Sequence, residues 1–150
     1  MVAVHPMSTE ENKALARRII EEAWNQGNLV VVDELMAPDY AGHHALVGNQ
    51  PPSRDLYKQF IIRTRTAFPD MRATIEDQVA EGDLVVTRWS VQGTHHGMFR
   101  GHSPTGKQMS VTGIIIERIV NGKAVEGWME MDTMNQMQQL GMIPQPGQPS

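Results

Sequence analysis

The chain has 150 residues, of which 40% are apolar and 20% charged, so it can form one domain with a packed core and is not wholly disordered. Its 13 basic and 17 acidic residues give a net charge of −4, which argues against a surface for nucleic acids or anionic membranes. The absence of cysteine excludes disulfides, thiolate zinc sites, iron–sulfur clusters and cysteine nucleophiles. With no recognisable signal peptide and no apolar run near the roughly 20 residues of a membrane helix, a cytoplasmic protein is expected.

Helical periodicity dominates the first half of the chain. Ser8 and Glu11 have the spacing of a capping box at the start of the first helix, and Gly27 follows as a C-cap. A turn at Ser53 opens the third helix, which ends before Pro69. Helices are therefore predicted over about 8–24, 29–36 and 53–68.

After Pro69 the pattern changes to strands rich in valine, isoleucine and threonine. Asn121-Gly122 predicts a type I′ hairpin turn, and Asp132 is a candidate N-cap of a last helix that ends before Gly141. The predicted strands are Met71–Ala80, Leu84–Thr94, Lys107–Val120 and Lys123–Met131, and the last helix is Asp132–Leu140.

This order of elements predicts an α+β fold in which helices pack on one face of a curved antiparallel sheet and enclose an apolar pocket. The folded domain is expected over residues 8–143, after a flexible start at 1–7 and before a disordered, proline- and glutamine-rich tail at 144–150. Apolar residues on both faces of the long strands lead us to expect a homodimer.

The predicted hairpin suggests which acid enters the pocket. A two-residue turn places Gly113 opposite Glu130 and Ile115 opposite Trp128, so that Glu130 would have open space above its carboxylate and could act as a general base. A one-residue bulge would reverse this assignment and bring Met129 and Met131 inside instead.

Other interpretations of the acids remain open. Carboxylates in strands more often face solvent, an alternative that applies to Glu117, Glu126 and Glu130. Asp132 is a second catalytic candidate, although a helix N-cap needs the same residue type.

Six histidines occur in the chain. His43 and His95 are candidate catalytic residues that could bond substrate carbonyls or transfer protons near neutral pH. His5, His96 and His102 are interpreted as surface residues. Adjacent histidines in a strand point to opposite faces, so no metal site is predicted. The candidate substrate-binding residues are His44, Trp24, Phe60, Trp89, Ile115 and Trp128.

Nine segments and His43 carry a resemblance to a known family. The segments are Trp24–Gly27, Met36–Tyr40, Ala67–Asp70, Gly93–Gly101, Pro104–Lys107, Thr112–Ile116, Asn121–Lys123, Glu126–Asp132 and Gln138–Gly141. They resemble the SnoaL-like polyketide cyclases, and the resemblance covers about residues 11–141. It implies a cone-shaped α+β fold of the nuclear-transport-factor-2 type and ring closure by intramolecular aldol condensation without metal or cofactor. It also maps the acid/base residue of the family to Glu130 or Asp132 and polar cavity residues to the region of His43 and His44. Where many relatives have a polar or acidic residue, this chain has Gly42, Ile115 and Met129.

The leading hypothesis is a cofactor-independent, cyclase-like enzyme of lyase or isomerase type. A carboxylate would remove a proton α to a carbonyl of a small hydrophobic compound, and the enolate would attack a second carbonyl of the same molecule. A ketosteroid-isomerase-like proton shuttle is one alternative. An epoxide hydrolase is another and would need acids around Arg88 or Arg118. A non-catalytic binder of a hydrophobic metabolite is the third.

Overall fold

The computed structural model describes residues 7–44 and 50–149, so most of the predicted flexible start, His5 and Ser150 lie outside the described residues. The helices are α1 (Thr9–Arg18), which continues as a π-helical segment (Ile19–Trp24), α2 (Leu29–Leu35), α3 (Arg54–Ala67) and α4 (Thr133–Gln139). The strands are β1 (Met36–His43), β2 (Arg72–Glu81), β3 (Leu84–Thr94), β4 (Gln108–Val120) and β5 (Lys123–Met131).

The first helix begins and ends by different local bonding. At its start, the Glu11 backbone N–H donates to Ser8 Oγ at 3.1 Å and the capping box is complete, as predicted. At its end, the hydrogen bonds widen to the π pattern, and Asn25 N–H donates to Ile20 O at 3.1 Å. This wider turn ends at Trp24, whose ring packs edge-on against Phe60 of α3.

The five strands form one sheet in the order β1-β5-β4-β3-β2. Strands β2 to β5 are antiparallel neighbours at nearly the predicted bounds, and the predicted α+β class is confirmed. The sheet is mixed, however, because β1 lies parallel to β5 at one edge. This strand was not predicted. It contains Pro38, which an edge strand tolerates and a central strand does not.

The hairpin between β4 and β5 corrects the predicted register. Asn121 and Gly122 have φ values of 52° and 75°, as a type I′ turn requires. Beyond the turn, Ile119 pairs with Ala124 but Arg118 pairs with Glu126, so Val125 is an extra residue in β5. From that bulge onward, every β5 side chain faces the side opposite to the one predicted.

The helices cover one face of the sheet and bury two adjoining clusters. One cluster joins α1, α2 and the ends of β4 and β5, with Ile19, Val32 and Ile119 at its centre. The second surrounds Phe68 and Val111 beneath α4. Among the helices of residues 7–44 and 50–149, none is long and apolar enough to cross a membrane.

The outer face of the sheet carries a continuous apolar row across four strands. Val79 pairs with Val86, Val86 with Ile116, and Ile116 with Trp128. Val79 is 61% exposed, and Ile114 nearby on β4 is 45% exposed. The homodimer stays a prediction, and this row is the surface on which it would form.

Light scattering at micromolar concentration is expected to give about twice the 16.8 kDa chain mass. The double substitution Val79→Lys and Ile114→Lys should shift the protein to monomer, because it places charges on that row. Arg72→Glu, an exposed change at the start of β2, is the control. A wild-type monomer at this concentration would contradict the prediction.

Candidate active site

A cavity of about 150 Å³ lies between the helices and the inner face of the sheet. An apolar cavity of about this size holds one benzene ring. The wall is almost wholly apolar, and it includes four methionines whose unbranched side chains can rearrange around a larger ligand. Prominent lining residues are Trp24, Phe60, Trp89, Met109, Met129 and Met131.

Glu117 is the acid that faces this cavity. It lies on β4 between Val85 of β3 and Gly127 of β5, and it is only 2% exposed. Its Oε2 has no hydrogen-bond partner among the described residues. Burial raises the pKa of the Glu117 carboxyl group to about 7, because the charged form loses its hydration. Both protonation states are therefore populated near neutral pH, as acid/base catalysis requires.

Two tyrosines share the Glu117 end of the cavity. Trp24 Nε1 donates to the Tyr57 hydroxyl oxygen at 2.7 Å, so the tyrosine's own hydrogen can be donated elsewhere. The ring of Tyr40 lies 5.5 Å from that of Tyr57. Burial, and then the Glu117 charge, raises the pKa of both phenols, which stay protonated as potential donors.

Gly127 creates the space for this arrangement. A Cβ at this position would overlap the Tyr40 hydroxyl. The sequence predicts an acid opposite a glycine of the neighbouring strand, namely Glu130 opposite Gly113. The structure contains such a pair, but it consists of Glu117 and Gly127. Gly113 is covered instead by the ring of Trp89, which a Cβ would overlap.

Six of the ten predicted site residues line the cavity. The other four, which are Glu130, Asp132, His95 and Trp128, do not. The six lining residues are His43, His44, Trp24, Phe60, Trp89 and Ile115.

The predicted position of Glu130 is wrong. Because of the bulge at Val125, Glu130 pairs with Ile114 rather than Gly113 and is exposed. Asp132 is also exposed and caps α4, where its Oδ1 accepts from Asn135 N–H at 3.2 Å. Its interpretation as an N-cap is therefore confirmed. The inward positions of β5 belong to Met129 and Met131, as the bulged alternative required.

The two histidines at the end of β1 differ in environment. His43 Nε2 lies 2.7 Å from Glu126 Oε2, and its ring stacks on Trp128 at 5.3 Å. His44 is half-buried, and its pKa is lowered by desolvation and then by the positive charge of Arg100, with a smaller opposing contribution from Glu130. His44 is therefore neutral at pH 7 and suited to hydrogen bonding.

His95 lies at the base of the loop between β3 and β4 and does not line the cavity. It is fully buried against Phe68, and its Nδ1 lies 3.0 Å from Thr105 Oγ1. Backbone bonds from His95 N–H to Lys107 O and from Gly106 N–H to His95 O close the loop between β3 and β4. The tip of that loop brings Phe99 and Arg100 to the cavity. In residues 7–44 and 50–149, no three His, Asp or Glu side chains form a group that could hold a metal ion.

An acid–arginine–acid arrangement exists, but it lies outside the cavity. Arg118 Nη1 contacts Asp83 Oδ1 at 3.0 Å, and Arg118 Nε is 3.7 Å from Glu126 Oε1. Arg88 pairs with Asp77 on the exposed outer face. None of these residues lines the cavity, so the geometry does not favour the epoxide-hydrolase alternative.

The alternation within β4 contained the signal for Glu117. Residues at odd positions from Met109 to Ile119 are apolar except Glu117, whereas polar residues such as Ser110 and Arg118 occupy even positions. Period-two alternation therefore favours the inner face for Glu117, although Ile114 and Ile116 are apolar residues at even positions, and the structure buries Glu117 there. The regular hairpin register indicated Glu130 instead.

Residues 14–140 match the model of a family described as SnoaL-like polyketide cyclase. Among solved structures, IdmH of Streptomyces antibioticus, provisionally named a polyketide cyclase, is 35% identical, with a TM-score of 0.76 over 87% of this chain and 98% of IdmH. AclR of Streptomyces galilaeus, provisionally named a hydroxylase, is 30% identical, with a TM-score of 0.81 over 92% of this chain and 85% of AclR. A provisionally named polyketide cyclase of Acidithiobacillus ferrooxidans is 28% identical, with a TM-score of 0.79 over 91% and 99% of the two chains. No curated protein matches the chain significantly.

The free energy of unfolding should fall as the pH rises from about 4.5 to about 7. Over this range the folded protein holds a proton on Glu117 that the unfolded chain releases, since the pKa is about 7 when folded and 4.5 ordinarily. The loss is about 3 kcal/mol at about 1.4 kcal/mol per pKa unit. Urea unfolding at pH 5 and pH 8 measures it, and the Glu117→Gln variant should lack this component. An equal pH dependence in both proteins would contradict the assignment.

Proposed function

Because the chain belongs to the SnoaL-like polyketide cyclase family, we propose that it is a cofactor-independent enzyme that closes a ring by intramolecular aldol addition. Its substrate would be a small hydrophobic compound with two carbonyl groups. The observation that carries the proposal is the buried Glu117 carboxyl group at the wall of the apolar cavity, without a partner on Oε2 among the described residues.

In the proposed reaction, ionised Glu117 takes a proton from the carbon α to a carbonyl, and the C–H bonding electrons form the enolate. The enolate carbon then attacks the second carbonyl of the same molecule and forms a carbon–carbon bond. The alkoxide that results takes the proton back from Glu117, so the base is regenerated. No oxidant, reductant or external proton is consumed.

The neighbours of Glu117 suit this chemistry. The Tyr57 hydroxyl accepts a hydrogen bond from Trp24 and keeps its own hydrogen for the enolate oxygen. The wall of the cavity is almost wholly apolar, and a hydrogen bond to the enolate oxygen is stronger in such surroundings than in water. A base with a pKa of about 7 is matched to proton transfer at neutral pH.

Exchange of α-hydrogen for deuterium tests the proton-transfer step without knowledge of the natural substrate. With 2-tetralone in D₂O, NMR should show enzyme-dependent exchange at the carbon between the ring and the carbonyl, above the buffer rate. Glu117→Gln should lower the enzymatic rate by about 100-fold or more, the scale of a general base. Glu81→Gln, an exposed change at the end of β2, is the control.

The rate of exchange should rise with pH up to about pH 7 and then stay constant, because only the ionised carboxylate of Glu117 accepts the proton. Chelators should leave the rate unchanged. If Glu130→Gln or Asp132→Asn abolishes exchange while Glu117→Gln remains active, the base is an acid at the end of β5. If the wild-type protein binds the ketone without exchanging it, the protein is a non-catalytic binder of hydrophobic compounds.

A further inference from the structure

A second buried polar group lines the same cavity. Gln136 of α4 is 4% exposed, and its Oε1 has no hydrogen-bond partner among the described residues. Its Nε2 lies 3.3 Å from Met109 Sδ. Since a thioether can only accept, the amide nitrogen faces the sulfur and the oxygen is the group without a partner.

The helix that carries Gln136 is held firmly in place. The Ser110 N–H donates to Gln139 Oε1 at 2.7 Å, and Gln139 Nε2 donates to Ser110 O at 3.0 Å, so α4 is clamped to β4 by two hydrogen bonds. Asp132 caps the start of the same helix. Gln136 is therefore held in position beside the cavity.

An unsatisfied amide is costly in this position. The second core cluster surrounds Met109 with apolar side chains such as Met131 and Leu140, where an apolar residue in place of Gln136 would leave no polar atom without a partner. A ligand that donates a hydrogen bond to the free oxygen would remove the penalty. Met109 is eight residues from Glu117 along β4, so the two polar groups lie toward opposite ends of the cavity.

We propose that Gln136 is a specificity-determining residue whose side-chain oxygen accepts a hydrogen bond from a hydroxyl group of the ligand. The ligand class is then a hydrophobic compound with a hydroxyl group remote from the carbon that meets Glu117. The inference rests on the proposed function only in treating this cavity as the substrate site.

Two probes that differ by one hydroxyl group test the proposal, 2-tetralone and 6-hydroxy-2-tetralone. Calorimetry on the wild-type protein should show about 5- to 10-fold tighter binding of the hydroxylated compound, the scale of one net hydrogen bond. Gln136→Leu should bring the ratio of affinities to about 1 and leave the affinity for 2-tetralone within about 2-fold. Gln136→Met, which keeps the unbranched shape of the side chain, should give the same ratio of affinities. It replaces Gln136→Leu in the test if the leucine variant misfolds.

The Glu117→Gln variant separates the two ends of the cavity and should retain the preference for the hydroxyl group. The proposal is overturned if the wild-type protein shows no preference, or if the preference survives both substitutions of Gln136. Loss of the preference in Glu117→Gln alone would place the hydroxyl group at the other end and would overturn it too. Absence of deuterium exchange with the preference intact would overturn only the proposed function.

Discussion

The unfavourable burial of one carboxyl group is the constraint around which this cavity is organised. An ionised carboxylate without a compensating partner costs several kcal/mol in an apolar interior, so the native fold favours protonated Glu117. The same burial that lowers stability at high pH gives the group a pKa of about 7. Gly127 and the tyrosines occupy the surrounding space without supplying a cation, and no positive charge among the described residues lowers the pKa of the Glu117 carboxyl group. Such a trade of stability for reactivity is typical of functional sites.

The sequence predicted the strands from β2 to β5 well because their signals are local, namely alternation and turn residues such as Asn121-Gly122. Two features depended on longer-range packing. Strand β1 pairs with a segment more than 80 residues away, and the bulge at Val125 leaves no mark in the residue pattern of β5. The single insertion moved the predicted acid to the wrong face. By contrast, the parity of β4 favours the inner face for Glu117.

The cavity wall of this chain differs in a consistent way from the one that the family resemblance implies. Gly42, Ile115 and Met129, where many relatives are expected to carry a polar or acidic residue, all line the cavity. The cavity is apolar at those three positions, and Glu117 and Gln136 supply buried polar groups elsewhere in its wall. One fold can hold pockets that differ in the placement of their polar groups, and with it in ligand or chemistry.

The π-helical segment makes the position of Trp24 tolerant of a change in length. Its wider turn holds one more residue than an α-helical turn, so removal of one residue from the segment would restore regular helix and leave the residues beyond it at nearly the same angle around the helix axis. Trp24 would then keep its contacts with Tyr57 and Phe60, and this part of the cavity wall would stay in place. The shape of the cavity therefore depends on which side chains this segment carries more than on how many residues it contains.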